Sequence, residues 1–166
     1  MGENKMVKEN IVIRNYRKSD YEDTLEILKA LHEKYDIGLS EAKWKASSGL
    51  RQFKPNLKRL TLVAEEDGKV VSMGMIEAKK TSLGEYIGYL DNWATNREYI
   101  GKGIGQILAD RAIKILKSWG VDKIHINVAY TSEKKLIDVL CKGGGFIPKI
   151  IVLEKTFNDE KTKSNY

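Results

Sequence analysis

Ile100-Gly101-Lys102-Gly103-Ile104-Gly105-Gln106 decides how this chain is read, because glycines at three alternate positions run straight into an amphipathic segment. From Ile104 onward Ile107, Leu108, Ala112, Ile115, Leu116 and Trp119 recur at helical spacing, and Gly120 stands where a helix C-cap is expected. A helix that opens inside a glycine loop gathers several backbone N–H groups at the positive end of its dipole. Glycine suits such a loop because a Cβ holds an anion away from the backbone, and Lys102 adds a cation close by. The stretch predicts a cradle for a pyrophosphate.

Spacing separates this cradle from two others. A Walker A loop needs four residues between Gly and Gly-Lys-Ser/Thr, and a dinucleotide fingerprint needs Gly-x-Gly-x-x-Gly after the first strand. Here the order is Gly-x-Gly-x-Gly, it follows about the fourth strand, and a hairpin precedes it rather than a βαβ opening. A plain tight turn competes with binding; a strand before the loop and a capped amphipathic helix after it favour binding.

Outward from the loop, Tyr86 to Thr95 reads as a strand, and Leu60–Glu65 and Val70–Ala78 flank Asp67-Gly68-Lys69, an Asp-Gly hairpin signal. Ile11 to Arg14 is a short β-rich run. Ser19 or Asp20 can cap a following helix with Leu25, Leu28 and Leu31 on its apolar face, and Ser40 to Leu50 reads as a second helix that Pro55-Asn56 ends. Past the secure helix, Lys123 to Val128 reads as a buried strand, Glu133 to Leu140 as a helix stopped by Gly143-Gly144-Gly145, and Ile150 to Phe157 as a last strand. The order predicts a mixed α+β sheet in a single domain over residues 1–166, with 1–9 and 158–166 flexible.

The 166 residues suffice for one core, 42% hydrophobic and 31% charged content is globular, and no apolar run approaches the roughly 18 residues that span a bilayer. The polar stretch Met1 to Asn10 lacks a secretory h-region, Cys141 is the lone cysteine, and two histidines offer no zinc spacing. A cytoplasmic protein without membrane or metal is the expectation. The net charge of +6 favours anionic partners, but the basic residues are interspersed with acidic ones, as in Lys58-Arg59 before Glu65-Glu66-Asp67, which disfavours nucleic acid.

With these residues in view, the chain resembles the GNAT superfamily of N-acetyltransferases, whose coenzyme A motif is Gln/Arg-x-x-Gly-x-Gly/Ala at the start of a long helix. The match is Ile100 to Gly105, and the likeness runs from Ile11-Val12-Ile13-Arg14 and Asp20 to Gly145-Phe146. The resemblance implies a mostly antiparallel central sheet of about six or seven strands flanked by about four helices, with acetyl-CoA as co-substrate. It implies that backbone amides of Gly101, Lys102, Gly103, Ile104, Gly105 and Gln106 hold the pyrophosphate, and that the strand edge at Trp93, Ala94 and Thr95 pairs with the pantetheine arm. A backbone N–H near Trp93 or Ala94 is then the oxyanion donor. Two positions depart from the pattern: Ile100 replaces the Gln or Arg that opens the motif, and Cys141 stands where the family often has a Tyr proton donor, four residues before Gly145.

The implied activity is acetyl transfer to a primary amine, a protein N-terminus, a lysine or a small amine, by direct attack in a ternary complex; a non-catalytic acetyl-CoA-binding module is the alternative. Tyr89, eleven residues before Ile100, holds a position where some family members carry a Glu or Tyr base, and a relay with His125 or Asn127 would strengthen a phenol whose ordinary pKa is about 10. Tyr89 reads equally as a strand aromatic, and His125, between Ile124 and Ile126, reads more readily as a structural residue than as a catalyst. Cys141 is a small hydrophobe or, with a thiol pKa near 8.5, the acid for the departing thiolate. Ser40 to Asn56 is expected to border the acceptor, Asp36, Glu41 and Asp91 could make an acidic cleft for it, and a homodimer is compatible with all of this.

Overall fold

The computed structural model describes residues 10–35, 38–54, 56–128 and 134–149, which fall into two compact units divided after Thr131. The first is an α+β unit built on a five-stranded sheet in sequence order: β1 (Ile11–Asn15), β2 (Arg59–Glu66), β3 (Lys69–Lys80), β4 (Tyr86–Thr95) and β5 (Lys123–Ile126). The first four strands pair antiparallel, and β5 joins β4 in parallel. The last predicted strand, Ile150 to Phe157, lies outside the described residues.

The β2–β3 hairpin closes on two residues, Asp67 and Gly68, both at positive φ (50° and 82°), the mirror-image turn that an Asp-Gly pair selects because its twist matches the strands. Helix α1 (Tyr21–Tyr35) and the short α2 (Glu41–Ala46) lay Leu25, Ile27, Leu28 and Trp44 against Val63, Met73 and Ala94 on one face of the sheet. Neither Ser19 nor Asp20 caps α1 as the sequence suggests. The Asp20 carboxylate is drawn back to Arg14 (2.7 and 2.9 Å) and to the Arg17 N–H (2.7 Å), across a 3-10 turn at Lys18–Asp20. Burial pushes its pKa up, and these donors outweigh burial to hold it below the ordinary value.

The helix predicted over Ser40 to Leu50 is split into α2 and α3 (Ser48–Arg51). Ser47 leaves helical geometry at ψ 9°, and its hydroxyl donates to Trp44 O (3.1 Å), the competition that makes serine a poor interior residue. On the opposite face α4 (Ile104–Ser118) buries Ile104, Leu108, Ala112 and Leu116, one stripe at four-residue spacing. Fully burying a leucine there stabilises by about 2 to 3 kcal/mol. Its end is a Schellman closure: Gly120 at φ 77° donates to Lys117 O (3.0 Å) and Val121 to Leu116 O (3.2 Å). Val121 and Leu116 then seat against Gly88, where an added Cβ would meet both at 3.0 to 3.2 Å.

Strand β5 is shorter than the predicted Lys123 to Val128, and Ile124 to Ile126 are half-buried rather than buried. In the second unit α5 (Lys134–Asp138) passes into a wide π-type turn, Val139–Gly143, that holds Cys141 half-buried, with Gly145 at φ 69° ending it. No helix among the described residues is long and apolar enough to cross a membrane.

Candidate acetyl-transfer site

The glycine loop has the backbone its sequence requires. Gly101 and Gly103 lie at φ 80° and 82°, the left-handed region that favours glycine, and a Cβ at Gly101 would face open space, so conformation rather than crowding demands glycine there. Gly103 is the N-cap of α4. Not every amide predicted to hold the pyrophosphate is free to do so: Lys102 N–H donates to Tyr99 O (3.3 Å), and Gln106 N–H to Gly103 O (3.1 Å). Gly101, Gly103, Ile104 and Gly105 are left as the donors of the cradle, three of them orphan groups of a helix start. These residues fit an anion at the helix N-terminus.

Flanking groups fix the loop. A 3-10 turn, Arg97–Tyr99, is capped by Asn96 Oδ1 accepting from Glu98 N–H (3.2 Å), and the Tyr99 hydroxyl donates to Glu66, which ties the loop to the end of β2. That bond pushes the Tyr99 phenol above its usual pKa. Lys102 Nζ lies 4.6 Å from the centre of the Tyr99 ring, so the predicted phosphate cation is held over an aromatic face beside the loop. Ile100 is 61% exposed, which leaves an apolar side chain in water where the motif has a polar one. Ile100→Arg is expected to tighten coenzyme A binding by about 1 kcal/mol, roughly fivefold, through a solvated charge-assisted contact. Calorimetry that finds affinity unaltered or weakened removes Ile100 from the motif.

The loop adjoins the end of β4: Thr95 Oγ1 is 3.7 Å from a Cβ built on Gly105. β4 has two departures from a plain strand. Its parallel pairing with β5 stops at Leu90↔Ile126, so among the described residues the edge from Asp91 to Thr95 has no strand beside it. The β3–β4 register also slips between Met73↔Ala94 and Met75↔Asp91, with Asn92 at φ 49° and Trp93 bulged opposite Gly74. Gly74 permits this, since a Cβ there would meet the Trp93 ring at 2.2 Å. Asn96 N–H donates to Val71 O (2.9 Å), and ladder alternation turns the main-chain groups of Ala94 to β3 as well and those of Thr95 to the free edge. Ala94 is buried in the core, and the Thr95 hydroxyl meets Ser72 Oγ at 2.8 Å.

Tyr89 and His125 come together. They are in register on β4 and β5, with ring centroids 5.8 Å apart and planes at 90°. The contact is ring edge on ring face. Glu77, paired with Tyr89 across β3, is in turn bound to Arg59 and Lys79, and Lys79 Nζ lies 5.2 Å from the Tyr89 ring centre. Two residues on, the same face carries Asp91. Burial raises the pKa of its carboxyl above the ordinary value, Glu77 adds to the rise, and Lys79 opposes it. A charge between Leu90 and Asn92 in a strand was the sequence signal for this group, which the cleft reading of Asp36, Glu41 and Asp91 used only for its charge. Asp36 lies outside the described residues, and Glu41 is paired with Lys29 at 2.7 Å on the exposed surface.

A glycine-cradled helix start beside a split strand edge, with a half-buried carboxyl on the sheet face, fits a coenzyme A-dependent acyl transferase. The chain belongs to the Acetyltransferase (GNAT) family, whose model matches residues 21–142, and is an acetyl-CoA-dependent acetyltransferase. Among solved structures it is similar to glucosamine-6-phosphate N-acetyltransferase from Arabidopsis thaliana, with TM-score 0.71, 19% identity, and coverage of 90% of this chain and 100% of that one. It is similar to a predicted acetyltransferase with acetyl-CoA from Clostridium acetobutylicum, with TM-score 0.69, 19% identity, and coverage of 88% and 96%. An aminoglycoside acetyltransferase from an uncultured soil metagenomic sample, in complex with sisomicin, gives TM-score 0.72, 11% identity, and coverage of 92% and 100%. At these identities the likeness is one of fold. No curated protein matches the sequence.

Proposed function

We propose that the protein acetylates a primary amine by direct attack on acetyl-CoA, with Asp91 as the base. The observation that carries this is the placement of Asp91 next to the bulge, about 13 Å along β4 from Thr95 and the glycine cradle at four residues of strand rise. An extended pantetheine arm on the free edge brings a thioester towards that bulge, and the thioester supplies the activated acetyl group. A main-chain N–H at the bulge, at Trp93, is the donor to the carbonyl oxygen as it gains charge. The raised pKa of Asp91 brings it closer to the working range of a base. Cys141 as the acid for the thiolate rests on its place before Gly145-Phe146.

Tyr89 stands beside Asp91 as the other candidate base. Tyr89→Phe removes only the hydroxyl and keeps the ring between Lys79 and His125. If the phenol carries the proton, kcat falls roughly 10²-fold with acetyl-CoA affinity unchanged; with Asp91 as base, kcat falls less than about tenfold. The exposed Ile100 favours a second reading, a module that binds acetyl-CoA without turnover. Thermal shift with acetyl-CoA followed by thiol release over a panel of amines tests both: amine-dependent release supports the enzyme, and binding without release across the panel supports the module.

A further inference from the structure

Arg51, the last residue of α3, is 1% exposed, yet no carboxylate is paired with it among the described residues. The other arginines bonded within the sheet differ: Arg14 pairs with Asp20 and Glu65, and Arg59 with Glu77. The Arg51 guanidinium lies 3.7 Å from the Trp44 ring centre and 5.5 Å from that of Tyr16, and its one hydrogen bond runs from Nη1 to Ser47 Oγ at 3.3 Å. Among the described residues Nε and Nη2 have no hydrogen-bond partner. Neither do the neighbouring Trp44 Nε1 and the Tyr16 hydroxyl, nor Thr61 Oγ1, although all are buried.

Buried donors are ordinarily satisfied, so five such atoms in one region mark a missing acceptor. The aromatic rings contact the faces of the cation. That leaves its in-plane N–H fork, the geometry that grips two oxygens of a carboxylate or phosphate. Trp44 can only donate, and the two hydroxyls can donate as well. The group is donor-rich and lacks an acid.

Its position relates it to the transfer site. Tyr16 N–H donates to Thr61 O (2.9 Å), Thr61 pairs with Met75, and Met75 pairs with Asp91. One cross-strand row thus joins Tyr16 and Thr61 to Asp91, and at strand spacing Thr61 lies roughly 10 Å from Asp91. We propose that Arg51 binds an anionic group of the acceptor, so that the substrate is a small amine that also carries a carboxylate or phosphate. This rests on acetyl transfer at Asp91.

Two measurements on the full chain test it. The first reads Tm in increasing acetate or inorganic phosphate, with coenzyme A filling the glycine cradle. Wild type is expected to gain Tm with anion concentration and Arg51→Met to gain none, while Arg51→Met is more stable than wild type in anion-free buffer because an unpaired buried charge is gone. A mere aromatic clip for Arg51 predicts the reverse, a less stable variant. The second compares kcat/KM for an amino acid against its amide, and for an amino sugar phosphate against the free amino sugar. Wild type is expected to favour one anionic member by at least about 30-fold, and the pair that shows it names carboxylate or phosphate. Arg51→Met collapses the ratio to near one, and Arg51→Lys, which keeps charge without the fork, reduces it. No anion-dependent Tm gain and no preference in wild type, or effects that persist in Arg51→Met, overturn the assignment. Anion stabilisation that depends on Arg51, without acetylation of any amine, retains the site and rejects the acetyl-transfer reading instead.

Discussion

Gly103→Asp is expected to weaken acetyl-CoA binding at least 100-fold, to the point of no measurable heat in calorimetry. Two effects add. The variant sets a carboxylate at the N-cap of α4, among the amides of Gly101, Ile104 and Gly105, where the cofactor's pyrophosphate is to lie. Bringing like charges together costs several kcal/mol once water is displaced. The φ of 82° also penalises any Cβ by about 1 to 2 kcal/mol. Gly103→Ala carries the strain without the charge, so it separates the two and should lose only about tenfold. Both variants should fold, because the residue is exposed. Unchanged affinity in Gly103→Asp rejects the cradle.

Asp91→Asn is expected to lower kcat by roughly 10²- to 10³-fold, the usual worth of a general base, with acetyl-CoA affinity retained. It should also raise Tm at neutral pH. The carboxyl's pKa is raised by burial, so its folded form is favoured below the ordinary carboxylate pKa, and that advantage is lost as pH rises through the raised value. Asparagine removes the ionisation. The Tm gain is therefore small in acid and grows towards neutrality. A carboxylate retained for packing alone leaves kcat intact, and a Tm that falls in Asp91→Asn contradicts the burial argument.

The loop and α4 were legible because both depend on local signals: positive-φ glycines, a four-residue apolar stripe and a glycine stop. The Asp67-Gly68 hairpin was legible for the same reason. The bulge was not, since it depends on Trp93 of one strand lying over Gly74 of another, a pairing that no periodicity within either strand reveals. Gly74 inside a strand was the available hint. Asp91 is legible as a charge but not as a half-buried carboxyl, because its burial depends on the register of β3 and β4. Arg51 carries no signal of its own in the sequence; only the packing of Trp44 and Tyr16 around it sets it apart. Asp20 was misread as a cap because the competing donor, Arg14, belongs to the preceding strand.

The central claim is direct attack by the amine on a thioester held between the glycine cradle and the β4 bulge. Intact-protein mass, with acetyl-CoA in the presence and absence of acceptor, tests it most directly when thiol release is read in the same samples. The account predicts thiol release only when amine is present, one acetyl group on the amine for each thiol, and an enzyme of unchanged mass throughout. Thiol release without amine, leaving one acetyl group on Cys141 that a later amine removes, contradicts it.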